Sequence, residues 1–443
     1  MTNQYEIYSE KFYEELPALL EKIETENSDV PNIGLEDYKK QIDIVERFIA
    51  RNKLKIYGGV SLNKFMPDDD KIYKNREGKI VDFDIYSPMP KKHVVELGNE
   101  LFKAGFKYVD IREGVHAGVY KIFNYFQEVA DIVYIPERIY SLIPYKTING
   151  MNYVLPKYMK IDMLVSLTNP QQSMFRWKKD YERLQKIEKY FPIEKPNVFV
   201  EKKSKHVKSE MEKKIYEYIV KKDDVIFFGD IAYYAYMKSS GLADYYSPEV
   251  KYIEIGLQNP TSIFKDLHQC GKIKIKKYHQ FLKYVPIRYI ISPENNDNHI
   301  LLIIYELNEK CIPYVLYNKI KISSYHSLVL YYYFMYYLSA CYGIRDRKEV
   351  VECCLYELDR AKKYYFARTG DNEFSNSLFR YFITICIGTE KNILIDSKVR
   401  KWKKEKSFSY TPDKREFLVV ADKVPAGIVY NMSGEFDKEV RSV

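Results

Sequence analysis

The chain is 443 residues long, about three times the common single-domain length, so two or three packed domains are expected. Hydrophobic residues at 46% and charged residues at 30% exclude a disordered or collagen-like chain. Seventy Lys and Arg against 61 Asp and Glu leave a formal charge of +9, which makes a polyanion such as nucleic acid a candidate partner without identifying one.

The six cysteines, Cys270, Cys311, Cys341, Cys353, Cys354 and Cys386, include no CxxC and have no His at a ligand spacing. Neither a zinc site nor a disulfide framework is therefore expected, and reduced thiols in a cytosol fit best. The polar, acidic start MTNQYEIYSEKFYEEL lacks the basic-then-apolar pattern of a secretory signal. The Tyr-rich apolar run at 327–344 reads as a buried helix rather than a membrane span, so no membrane partner is expected.

Residues 35–52 place Leu35, Tyr38, Ile42, Val45, Phe48 and Ile49 at helical spacing. A short strand at 55–57, the pair Gly58-Gly59 and a helix from Val60 to Met66 follow. Beyond the loop holding Asp68, Asp69 and Asp70, residues 80–86 (IVDFDIY) alternate as a strand, and Ser87-Pro88-Met89-Pro90 stops it. A helix over 91–104 and two candidate strands at 117–123 and 128–135, close enough to form a hairpin, complete an α/β pattern with a mixed sheet. A helix ends the stretch 157–191, and the charged run 201–214 reads as a linker or an exposed helix start.

A faint echo follows. Phe227 to Ile231 stands after a helix-like stretch as Ile56 to Val60 does, and Tyr252 to Ile255 resembles IVDFDIY. Residues 281–293 then run parallel to 125–136, with Arg288 where Asp131 stands, so the order repeats while the acidic residues do not. Residues from about 325 onward look helical until a basic, irregular tail.

The sharpest chemical signal is Asp82-Phe83-Asp84. On a strand the two aspartates face one way and Phe83 the other, and a hard divalent cation relieves the repulsion of such a pair. Gly58, Gly59 and Ser61 join a strand to a helix, where free N–H groups and the helix dipole can receive phosphate. Neither a P-loop nor a GxGxxG motif is present. Asp131, in an apolar strand, is costly when ionised unless it is paired or metal-bound. Asp162 is the rival third carboxylate, and Asp131 is preferred because its strand can pair beside the DxD strand. Lys272, Lys274 and Lys276 share one strand face that could follow phosphates or protect an edge, and cations from Lys398 to Lys406 surround Trp402.

Together the segments YGGVSLNKF (57–65), VDFDIYS (81–87), HAGVYKIFNYFQEVADIVYIP (116–136) and SLTNPQQSMFRWKKDYERL (166–184) resemble the DNA polymerase beta-like nucleotidyltransferases, and among them the poly(A) polymerase catalytic subunits of poxviruses and other large cytoplasmic DNA viruses. The resemblance implies an α/β (α+β) nucleotidyltransferase fold at 35–195, after an N-terminal segment at 1–34. A linker or helix at 196–222 would precede a degenerate nucleotidyltransferase-like and helical C-terminal domain at 223–443. It implies template-independent addition of adenylates to RNA 3′ ends. Asp82, Asp84 and Asp131 would hold Mg²⁺ or Mn²⁺, and Gly58, Gly59 and Ser61 the β/γ-phosphates of ATP. Arg176 and Lys178 would meet the triphosphate, and Tyr181 would stack on a base. A homodimer or a processivity subunit, and the cytoplasm of an infected cell or a virion, are the implied setting. Uridylyl or CCA addition, and a non-catalytic RNA-binding subunit, are the alternatives.

Overall fold

The computed structural model describes residues 18, 34–73, 82–114, 118–196, 209–248, 250–278, 286–308, 310–338, 348–389, 409–411, 416–418 and 441–442. The N-terminal segment up to residue 33, apart from Ala18, and the Lys398–Lys406 cluster lie outside the described residues. The chain divides into two compact units, one holding 1–135, 144–155 and 400–422, the other 136–143, 156–399 and 423–443. This division puts residues 156–195, expected with the first domain, in the second unit.

In the first unit, α1 (Leu35–Arg51) leads through β1 (Lys55–Tyr57) into α2 (Gly58–Phe65). Then come β2 (Phe83–Ser87), α3 (Pro90–Lys103), β3 (Val109–Glu113), β4 (Val119–Asn124), β5 (Gln127–Tyr134), β6 (Tyr145–Ile148) and β7 (Met151–Val154). The sheet order is β3-β4-β5-β2-β1-β7-β6. Strand β2 runs parallel to β5 and antiparallel to β1, and β1 runs parallel to β7. One face carries Ile56, Phe83, Ile85, Ile111, Ile122 and Ile132, all buried, and packs with Phe48, Ile49, Leu97 and Leu101 of α1 and α3 into one core. That apolar alternation is what fixes which side each acidic residue faces.

Helix α1 departs from its expected face at Gln41, which is buried because its Oε1 accepts a hydrogen bond from Asn124 Nδ2 at 2.6 Å, while Leu35 is exposed. Strands β3, β6 and β7 go beyond the sequence reading. The β6–β7 hairpin turns on Asn149-Gly150, both at positive φ, the residue pair such two-residue turns favour.

In the second unit, α4 (Pro156–Leu167), α5 (Trp177–Tyr190) and α6 (Glu210–Ile219) precede β8 (Ile226–Phe227), α7 (Gly229–Ser240) and β9 (Ile253–Leu257). The chain continues through β10 (Ile273–Tyr278), β11 (Arg288–Pro293), β12 (Leu302–Glu306), β13 (Ile312–Tyr317), β14 (Ile320–Ser323), α8 (Tyr325–Leu338), α9 (Lys348–Thr369) and β15 (Cys386–Ile387). Seven of its strands lie in the order β10-β11-β12-β9-β8-β14-β13, each pair with the same direction as its counterpart in the first sheet. The echo in the sequence is thus a repeat of topology. One assignment is corrected: β9 pairs in parallel with β12, setting Glu254 opposite Ile303, so Ile303 and not Arg288 occupies the position of Asp131. Arg288 is one strand further out, on β11.

The expected buried helix is α8, and no described helix is long and apolar enough to cross a membrane. The expectation of unpaired thiols is corrected at Cys311 and Cys386, which form a disulfide with Cα atoms 5.6 Å apart. Their partnership follows from β13 pairing β15, and a sequence separation of 75 residues gives no sign of it.

Lys160 on α4 is buried, and loss of hydration holds its ammonium down to about 8 against an ordinary 10.5, with Glu188 and Asp359 only partly compensating. The unfolded chain therefore binds the proton more readily, so the penalty, about 3 kcal/mol, is in full force below pH 8 and fades as pH rises toward 10.5. Lys160→Met should be more stable than wild type by up to that amount at pH 7, with the difference shrinking toward pH 10; urea unfolding of both proteins across this range measures it.

Candidate active site

Cross-strand register lines up one row of side chains on the face opposite the core. Arg112 of β3 stands beside Lys121 of β4, Lys121 beside Asp131 of β5, Asp131 beside Asp84 of β2, and Asp84 beside Tyr57 of β1. Asp82 precedes β2 by one residue and, two positions from Asp84, shares its side. Asp162 lies on α4 in the other compact unit, so the carboxylate across from Asp84 is that of Asp131.

Gly58 opens α2 at φ +68°, and a Cβ built on it would lie 1.9 Å from Asp84 Oδ2. The glycine is required twice, by its left-handed backbone and by the carboxylate filling the space a side chain would take. The residue before α2, Tyr57, makes no side-chain cap to its first turn. Gly59 is buried in that turn. Ser61, expected at the phosphates, is fully buried and its Oγ donates to the Val154 carbonyl at 2.8 Å, a bond that ties α2 to β7.

Asp131 is strongly perturbed. Its Oδ2 accepts from Lys121 Nζ at 2.8 Å, and the same ammonium also binds Glu128. Among the described residues, its buried Oδ1 has no hydrogen-bond partner. Burial, and then the Glu128 carboxylate, raise its pKa well above the ordinary carboxylate range, while Lys121 acts against them. Among the described residues, no three His, Cys, Asp or Glu side chains gather as a ready-made metal-binding group. Lys121 and Glu128 were missed in the sequence; the signal available was a lone Lys in the alternating strand VYKIFN.

The remaining expected residues lie in the second compact unit. Arg176 Nε donates to buried Asp180 at 3.3 Å, and Lys178 is exposed. The Tyr181 ring meets Phe374, Tyr381 and Phe382 edge to face. Trp177 docks this helix start through an indole N–H donated to the Ser166 carbonyl at 2.9 Å. Lys274 and Lys276 both pair with Asp297, and the outer edge of β10 is covered by Arg441–Ser442. The three-aspartate loop is a single 3₁₀ turn whose highly exposed Asp68 pairs with Lys71.

Residues 43–173 match the family described as "Poly(A) polymerase catalytic subunit". The chain is related to the viral poly(A) polymerase catalytic subunits. A putative poly(A) polymerase catalytic subunit of Acanthamoeba polyphaga mimivirus is 26% identical over 93% of this chain and 78% of its own length. The protein of the same description from African swine fever virus (isolate Pig/Kenya/KEN-50/1950) is 31% identical, but over only 34% of this chain and 33% of its own. The crystal structure of the Megavirus polyadenylate synthase superposes with a TM-score of 0.78 over the whole of this chain and 92% of that one, at 21% identity, which establishes the fold. The stretch matching the poly(A) polymerase family contains Gly58, Gly59, Ser61, Asp82, Asp84, Asp131 and Asp162, and stops short of Arg176, Lys178 and Tyr181.

Gly58→Ala must displace the Asp84 carboxylate and strain the backbone, at a cost of about 1–3 kcal/mol. Coupled to Asp84→Ala in a double-mutant cycle of urea unfolding, it should show about 1 kcal/mol or more of interaction, because the second change removes the atoms in the way.

Proposed function

We propose that the protein adds adenylates from ATP to the 3′ end of RNA without a template, with Asp82, Asp84 and Asp131 holding divalent cations. The observation that carries the reading is the direct register of Asp131 with Asp84 beside the Gly58 bend, inside the stretch that matches the poly(A) polymerase family. The donor set fits Mg²⁺ or Mn²⁺: all three groups offer carboxylate oxygen, and the buried Asp131 Oδ1 has no partner among the described residues. When bound, such ions activate the RNA 3′-hydroxyl and offset charge on the triphosphate during in-line attack on the α-phosphate, with pyrophosphate leaving.

The chain's own residues set the stage for that attack. Gly58 brings the start of α2 against the Asp84 carboxylate, so N–H groups of that helix start can hold β- and γ-phosphate oxygens next to the acidic row. Gly59 lets the chain pass close to those oxygens, while Ser61 acts indirectly by fixing α2 to β7. Tyr57 and Tyr86, stacked with centroids 3.8 Å apart on the acidic side of β1 and β2, form a stiff wall beside Asp84. Arg176 and Lys178 remain our candidates for triphosphate contacts, and Tyr181 for a base contact through aromatic edges. The description of the relatives as catalytic subunits is the ground for proposing a partner subunit.

The test is primer extension with purified protein, Mg²⁺ or Mn²⁺, a short RNA and each labelled NTP separately. Tails from ATP alone are expected; tails from another nucleotide would reassign the specificity, and no extension would leave an RNA-binding role. Asp82→Asn and Asp84→Asn should each lower the rate on the order of 10³-fold or more with thermal unfolding little changed.

A further inference from the structure

We propose that the Lys121 ammonium is an internal counter-ion that holds Asp131 in the metal-free protein and passes to Glu128 alone when a divalent cation takes that carboxylate. The proposal rests on the reading of Asp82, Asp84 and Asp131 as metal ligands.

Three features of the β4–β5 pair support it. First, Lys121 and Asp131 are cross-strand partners, so the ammonium reaches Oδ2 at 2.8 Å without leaving the sheet face on which Asp84 stands. Second, the register shifts between Ile122 and Phe123, where Ile122 faces Ala130 but Phe123 already faces Glu128. The extra residue, Val129, turns Glu128 to the face of Asp131 although the two are three positions apart. One ammonium thus bridges two carboxylates, of which Glu128 is the more exposed, 31% against 15%. Third, Lys121 holds Asp131 Oδ2 from the β4 side of β5, whereas Asp84 stands on β2, which flanks β5 on the other side.

An ammonium and a divalent cation repel each other strongly within a few ångströms in a half-buried site, so they cannot share Asp131 Oδ2 at low cost. Glu128 resolves the conflict by giving the ammonium a second carboxylate that lies outside the row. The exchange is cation for cation, and Lys121 stays charged throughout. Lys121 is therefore a positioning residue. It keeps the acidic row from repelling itself before the metal arrives, and it sets how tightly the metal is then held.

The experiment uses the full chain, freed of metal with EDTA, and titrates Mn²⁺ by electron paramagnetic resonance while thermal unfolding is followed with and without Mn²⁺. Lys121→Gln should melt lower without metal, bind Mn²⁺ on the order of 5–10-fold more tightly, and gain more from Mn²⁺ than wild type does. Glu128→Gln should bind Mn²⁺ more weakly than wild type, since the ammonium loses its alternative. Lys121→Arg, which keeps the cation, should stay near wild type. Arg112→Gln removes a positive charge from the next strand of the same row without touching Asp131, and it should leave Mn²⁺ affinity within about twofold. An unchanged affinity in Lys121→Gln, or an equal shift in Arg112→Gln, would overturn the proposal. Wild-type protein whose Mn²⁺ binding is absent or indifferent to Asp84→Asn would overturn the metal-site reading itself, and this inference with it.

Discussion

Two aspartates facing each other on adjacent parallel strands, Asp84 and Asp131, are the constraint around which the first sheet is organised. Side by side in a half-buried row two carboxylates are costly to keep ionised, and the neighbouring features bear on that cost. Gly58 gives up a side chain so that one carboxylate has room, Lys121 neutralises the other, and a bulge in β5 brings in Glu128 to share the ammonium. The opposite face, with Ile56, Phe83, Ile85 and Ile132 fully or almost fully buried, locks the register, so neither strand can slide to relieve the charge.

The second sheet is a control supplied by the molecule itself. Its strand order is the same, and at the bend Gly229 has φ +55°, with Glu254 Oε2 1.9 Å from where a Cβ would stand, as Asp84 is to Gly58. There the charge is handled differently. Glu254 accepts hydrogen bonds from the hydroxyls of Tyr305 and Tyr331 at 3.2 and 2.6 Å, and its cross-strand neighbour is Ile303. Ile290 stands where Lys121 does in the first sheet. Acid and counter-ion are absent together, as expected when leaving one member of a buried pair is far costlier than replacing both with apolar residues.

Much of this was legible in the sequence because it is carried by short-range signals. The helical spacing of Tyr38, Val45, Phe48 and Ile49, the Gly58-Gly59 break and the alternation of Phe83 with Asp82 and Asp84 each report local geometry. Asp131 is preferred over Asp162 because its strand can pair beside the DxD strand, and β5 does pair with β2. What escaped was non-local. The pairing of β9 with β12 rather than β11 depends on a return across the sheet, so Arg288 was matched to Asp131 in error. Lys121 gained its meaning only from register, and Cys311 with Cys386 only from β13 meeting β15. The β6–β7 hairpin is the exception, since Asn149-Gly150 announces its turn.

The acidic row is therefore not a requirement of the fold. The same seven-strand order closes in the second unit with isoleucines where Asp131 and Lys121 stand, and its central carboxylate is bonded by hydroxyls. In the first unit Asp131 keeps a buried oxygen without a partner among the described residues, a condition that costs on the order of 1–3 kcal/mol. A local cost that the architecture can demonstrably avoid, set beside the Gly58 bend and in register with a second carboxylate, is better explained by a task for that oxygen than by packing. On the proposed function, that task would be to hold a divalent cation beside the triphosphate.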